Sequence, residues 1–134
     1  MGNFVQFRTL SGDTEVSETD RPVKLNGTGD TELFRQVKLE GLDPDRGTVL
    51  MFQVSGDAGS HLKILRKDGA REHELVDIRM DPAFKQPRSW HEIVPGSLLS
   101  EDENHFVARV VAIPAEGEIT VSDVVLLYHG KTMP

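Results

Sequence analysis

The sequence predicts an all-β domain, a two-sheet antiparallel β-sandwich of the jelly-roll type with eight or nine strands. Three observations carry this. Short runs of apolar and β-branched residues recur along the chain, Gly, Pro, Asp and Asn separate them, and no segment keeps a helical period for long. Eight strands in two sheets is the jelly-roll number, and an immunoglobulin-like sandwich, with shorter and more even strands, is the neighbouring solution.

Residues 3–10 are an aromatic and β-branched run and read as the first strand. Residues 11–30 are polar, with only Val16, Val23 and Leu25 apolar, and predict a long connection holding one short strand near residues 22–25. Residues 32–39 place Leu33, Val37 and Leu39 on one face of a strand, and residues 48–55 do the same with Leu50, Phe52 and Val54. Between them, Asp43-Pro44-Asp45-Arg46-Gly47 is turn chemistry, with Pro setting φ and Gly closing the turn.

Residues 61–66 and 73–78 flank Lys67-Asp68-Gly69-Ala70, and Asp-Gly supplies the positive φ that a tight hairpin needs. After Asp81-Pro82, a loop containing Pro87 leads to a short strand at residues 89–94 that Pro95-Gly96 ends. Residues 97–103 have room for one helical turn. Residues 104–113 and 118–129 are the longest strands, joined by Pro114-Ala115-Glu116-Gly117. In the last one Ile119 and Val121 share one parity while Val124, Leu126 and Tyr128 share the other. Either a β-bulge near Ser122-Asp123 restores a single inward face, or both faces of residues 124–127 are covered.

With neither an internal repeat nor a Pro-rich or Gly/Ser linker, the chain reads as one domain, residues 1–134. Its 37% hydrophobic and 28% charged residues are those of a globular protein, and at this length a core forms without disulfide or metal. The absence of cysteine excludes disulfides, thiolate metal sites and thiol nucleophiles, and fits a reducing compartment without assigning one. The first residues lack the basic start and apolar stretch of a signal peptide, and no apolar run approaches the ~20 residues that cross a bilayer. No membrane association is expected. With a net charge of −7 and scattered Lys and Arg, nucleic acid is not an expected partner either.

No motif carries a catalytic geometry. His73-Glu74-Leu75-Val76-Asp77 and His91-Glu92-Ile93-Val94-Pro95 begin like the zinc-protease motif but end without its second His, and both fall on predicted strands. That motif needs a helix to bring positions i and i+4 together. The five histidines, His61, His73, His91, His105 and His129, occur singly, without close metal-ligand spacing. There is no G-x-S-x-G, and Asp43-x-Asp45 lacks the remaining ligands of a calcium loop. The chain therefore reads as a binding protein rather than an enzyme. Asp123, set in the most apolar strand, must be exposed at a bulge, hydrogen-bonded, or bound to a cation.

Residues 103–113, Glu-Asn-His-Phe-Val-Ala-Arg-Val-Val-Ala-Ile, followed by residues 118–128, Glu-Ile-Thr-Val-Ser-Asp-Val-Val-Leu-Leu-Tyr, resemble the closing strand pair of galactose-binding-like jelly rolls. Many carbohydrate-binding modules of that group carry a G-x-N-x-apolar strand before a final I-D-D-V-x-L strand. The likeness is confined to this strand pair. It implies a structural calcium ion held in part by Asp123, with no other cofactor required. It also implies sugar binding on exposed aromatic rings, because sugar C–H faces stack on them while polar neighbours bond the hydroxyls. Trp90 is the only tryptophan and Tyr128 the only tyrosine. Trp90, with Arg88 and His91 beside it, is the candidate ligand site, and a core tryptophan capping one end of the sandwich is the competing reading.

The expected function is thus a non-catalytic binding module for carbohydrate or a similar polar ligand, through Trp90, Arg88 and His91. The alternative is a protein-interaction or assembly domain that uses a sheet face or edge. Val5 and Phe7 on one face of the first strand, and Val107 and Val111 opposite Phe106 and Val110, point to two-sided burial and so to a homo-oligomer.

Overall fold

The computed structural model describes residues 4–10, 22–34 and 36–131. Among them nine strands form: β1 (Phe4–Thr9), β2 (Val23–Leu25), β3 (Thr31–Leu33), β4 (Gly47–Gly56), β5 (His61–Asp68), β6 (Arg71–Arg79), β7 (Arg88–Pro95), β8 (His105–Ala112) and β9 (Ile119–Gly130). One sheet has the order β1-β9-β4-β7, with β2 also paired to β9, and the other has the order β3-β8-β5-β6. Every pairing is antiparallel. The chain crosses between the sheets after β2, β3, β4, β6, β7 and β8, which makes the two-sheet sandwich that the strand spacing predicts. Among the described residues no helix is long and apolar enough to cross a membrane.

The core lies between the sheets and follows from period-two alternation. β4 sends Leu50, Phe52 and Val54 inward, and β9 sends Ile119, Val121, Val124, Leu126 and Tyr128, all buried. Leu62, Ile64, Val76, Ile78, Phe106, Ala108 and Val110 face them from the other sheet. β9 keeps one inward face because of a bulge. Met51 pairs with Val125 but Gln53 pairs with Ser122, so residues 123 and 124 together face Phe52. Asp123 takes a φ of 51° and is exposed. Of the two readings of the parity switch, the bulge is the one adopted.

The β5–β6 hairpin closes at Asp68↔Arg71, and Gly69, with φ 61°, is the first of the two linking residues. Glycine is favoured at that position because residues with a Cβ rarely adopt a left-handed φ, although the space around it is open. Residues 43–47 form the expected turn, with the amide of Asp45 donating to Asp43 Oδ1 at 3.0 Å.

The expected strand at residues 32–39 is shorter than the alternation predicts. It ends at Leu33, after which Val37 makes a single bridge to Asn104. Val37, Leu39 and Leu42 are buried all the same, closing over one end of the sandwich. Burial of a loop mimics a strand pattern when its apolar residues happen to alternate. The helical turn expected at residues 97–103 is a 3₁₀ turn at Gly96–Leu98, and a second one, Pro82–Lys85, stands where a plain loop was expected. Asp81 caps the latter, accepting from the amide of Ala83 at 2.8 Å. At Gly96 a Cβ would lie 2.5 Å from the Arg46 carbonyl oxygen, so the close approach of the two loops requires glycine. Most of the long early connection, residues 11–21, lies outside the described residues.

Candidate functional site

β7 is the edge strand of its sheet, and its register decides which side chains act together. Arg88, Trp90 and Glu92 lie opposite Val54, Phe52 and Leu50 of β4, so they share the core-facing side with those residues. Ser89, His91 and Ile93 lie opposite Gln53, Met51 and Val49 and project from the outer side. The structure therefore brings Arg88 and Trp90 together and separates His91 from both. The expected trio is not one site, because neighbouring residues of a strand point to opposite faces.

At the edge the second sheet only partly roofs the core-facing side. Trp90 packs against the core and is half-buried, Glu92 is half-buried, and Arg88 is exposed. Behind them stands Phe84, buried in the Pro82–Lys85 turn. Its ring centroid is 6.2 Å from that of Trp90 at an interplanar angle of 39°, and the Arg88 guanidinium carbon lies 5.8 Å from the Phe84 centroid. Both distances suit aromatic and cation–π contact. The indole Nε1 donates to Glu92 Oε1 at 3.2 Å. The result is an aromatic platform flanked by guanidinium donors on one side and by a carboxylate acceptor on the other. A carboxylate accepts several hydrogen bonds, so the indole contact leaves Glu92 capacity for more.

The outer face of the β3-β8-β5-β6 sheet is instead a charge-matched surface. Arg109 forks onto Glu72 at 3.0 and 2.7 Å, Lys63 Nζ lies 2.7 Å from Glu74 Oε1, and His61 Nε2 meets Asp77 Oδ1. The hydrogen bond from Arg109 holds the Glu72 carboxyl below its ordinary range and lifts Arg109 above its own. The hydrogen bond to Glu74 likewise raises Lys63. A ligand on this face would have to displace pairs already formed. A cleft of about 360 Å³ lies elsewhere, among the loops at the end of the sandwich, lined by Gly41, Leu42, Pro44, Leu99, Glu101 and Lys131.

Tyr128, the chain's one tyrosine, belongs to the core. Its hydroxyl donates to Gln6 Oε1 at 2.8 Å and lies 3.2 Å from the Glu40 carbonyl oxygen, and burial raises its pKa. Asp123 is exposed at the β9 bulge. A calcium ion takes six to eight oxygen ligands. Among the described residues no group of three or more His, Cys, Asp or Glu side chains is placed to hold a metal.

Glu92 and Phe84 are the members of the edge cluster that the sequence reading missed. Glu92 was recoverable, because i and i+2 share a strand face and Trp90 already marked it. Phe84 carried no such signal, since a four-residue 3₁₀ turn opened by Pro82 has no diagnostic period.

No family model and no curated protein sequence matches the chain. Among solved structures, a carbohydrate-binding module of Cellvibrio mixtus lichenase 5A, in complex with cellotriose, superposes at a TM-score of 0.54 with 15% identity, covering 96% of this chain and 88% of that one. The family 11 carbohydrate-binding module of a Clostridium thermocellum cellulosomal cellulase gives 0.51 and 14%, covering 94% and 82%. A family two carbohydrate esterase from Cellvibrio japonicus gives 0.50 and 12%, and there 97% of this chain spans only 35% of the other. What these likenesses establish is architecture: the chain has the β-sandwich fold seen in carbohydrate-binding modules.

Proposed function

We propose that the chain is a non-catalytic carbohydrate-binding module that takes its sugar at the β7 edge, on Trp90 between Arg88 and Glu92. The observation that carries this is the row itself: an indole backed by Phe84, with a guanidinium and a carboxylate two residues away on either side of it. A pyranose needs an apolar surface for its C–H face and both donors and acceptors for its hydroxyls, and this row supplies all three. The fold shared with modules such as the cellotriose-bound one adds support. Relative to the expected trio, Glu92 takes the place of His91 as the polar neighbour of Trp90 on the aromatic side.

Calorimetric titration with a panel of soluble oligosaccharides tests the proposal. The wild type is expected to bind at least one of them, and Trp90→Ala to bind about tenfold or more weakly, the scale of losing about 1.4 kcal/mol of stacking. Trp90→Phe, which keeps a ring in place, should fall between the two. His91→Ala, altered on the opposite face, should bind as the wild type does. Absence of binding across the panel, or full binding by folded Trp90→Ala, would overturn the proposal.

A further inference from the structure

An apolar row crosses the outer face of the β1-β9-β4-β7 sheet from edge to edge. Phe7 pairs with Leu127, Leu127 with Val49, and Val49 with Ile93, and all four project away from the core. Phe7 is 64% and Ile93 68% exposed. Val5, two residues along β1 and paired with His129, is 59% exposed. On the other side of the row stand Val125 and Met51, which pair with each other, and His91, which pairs with Met51. None of these positions is Lys, Arg, Asp or Glu. Farther along the same face the paired positions Gln53, Ser122, Ser89, Ser55 and Thr120 are polar but uncharged, and Lys24 of β2, paired with Thr120, brings a positive charge to that end.

We propose that this face is the docking surface for a second copy of the chain, sheet against sheet. Charge selects that occupant. Two copies that each carry a net charge of −7 repel when acidic surfaces meet, and the apolar rows of this face offer contact without a carboxylate on either side. Area agrees. Four strands at ~4.8 Å spacing and three two-residue rows give a footprint of about 400 Å², and the five uncharged positions beyond the end of β1 extend it to about 550 Å². The apolar part alone is as large as the patches that monomers ordinarily leave exposed. The whole face falls short of the ~800 Å² per partner of a standard interface, so the pairing should be weak and concentration-dependent. Sheet faces pack ~10 Å apart when their side chains interdigitate, and an uninterrupted row of Phe, Leu, Val and Ile suits that arrangement. A two-fold axis parallel to the strands sets Phe7 of one copy opposite Ile93 of the partner subunit. The Trp90 edge of each copy stays outside the contact, because its side chains project from the other face of β7.

Sedimentation equilibrium of the wild type from about 10 μM to about 1 mM, a range suited to an interface below standard size, tests this without any sugar. The mean mass is expected to rise from 14.9 kDa toward twice that value. Ile93→Lys and Phe7→Glu alter exposed side chains, so both should fold, as circular dichroism and melting would show, and both should stay at monomer mass. A monomeric wild type throughout, or a folded Ile93→Lys that still doubles its mass, would overturn the proposal. A monomeric wild type whose retention on insoluble polysaccharide is abolished by Ile93→Lys would assign the face to polymer docking, and the second-copy proposal would likewise fall. The mass readout is independent of oligosaccharide binding at Trp90, so failure here and failure of the sugar site are distinguishable.

Discussion

The guanidinium of Arg109 reaches across strand β5 to Glu72 and meets its carboxylate at two points, Nη1 to Oε1 at 3.0 Å and Nη2 to Oε2 at 2.7 Å. Register places Arg109 beside Lys63 and Glu72 beside Lys67, so the bridge runs diagonally over the row containing Leu65 and Val107. Those two face outward yet are only 6% and 3% exposed. The expected two-sided burial in β8 is therefore met at Val107 within the chain itself, while Val111 is 40% exposed.

Because Arg109 lowers the Glu72 pKa in the folded state, the bridge stabilises the protein above the ordinary glutamate value of about 4.3 and ceases to do so as pH falls through the lower folded value. Melting temperatures of the wild type and Glu72→Gln should differ most near neutral pH and converge as pH falls through the lowered folded midpoint of Glu72. An undiminished difference at acid pH would contradict this origin.

Tyr128 offers a spectroscopic check on the core. Burial raises its pKa, and as the single tyrosine it alone produces phenolate absorbance. Titration of the folded protein should show a midpoint above the ordinary value of about 10, returning to that value in denaturant. Because the folded pKa is the higher one, stability is kept below about pH 10 and declines as pH rises toward the folded midpoint. A folded midpoint at the ordinary value would place the hydroxyl in water.

Asn104 is fully buried where β8 begins. Its Oδ1 accepts from the Ser100 amide at 2.9 Å, and its Nδ2 donates to the Ser100 and Val37 carbonyls at 2.6 and 3.2 Å. Asn104→Ala strips partners from three backbone groups and should cost roughly 2–4 kcal/mol in urea unfolding. A loss below about 0.5 kcal/mol, the range of neutral surface changes, would mean that water replaces the side chain.

Asp123 occupies a left-handed conformation at the β9 bulge. Asp123→Val should lose about 1–2 kcal/mol, since a β-branched residue is strained there, whereas Asp123→Gly should change stability by less than about 1 kcal/mol. Strand geometry alone predicts the same melting temperature in calcium and in chelator. A calcium-dependent rise that disappears in Asp123→Ala would instead assign this residue to a cation.

Features governed by neighbours in sequence were legible. The hairpin at Gly69 follows from two strands and one glycine, and the β9 bulge follows from a parity switch between Val121 and Val124. Within the strand expected at residues 32–39, the part after Leu33 was misread because a loop that buries Val37 and Leu39 over the sandwich end carries the same alternation as a strand. At the candidate site Trp90 and Arg88 were found by residue type. His91 was placed with them by adjacency, although the strand period sends it to the opposite face.

The sequence by itself determined an all-β domain, the approximate positions of most strands and the inward parity of β4 and β9, because alternation and turn chemistry are local. Only the tertiary structure decided that Phe7, Leu127, Val49 and Ile93 form one row, and that Trp90 stands at an open edge before Phe84. Phe7 and Leu127 are separated by most of the chain. Their pairing depends on strand order and register, which packing of the whole core selects rather than any local preference.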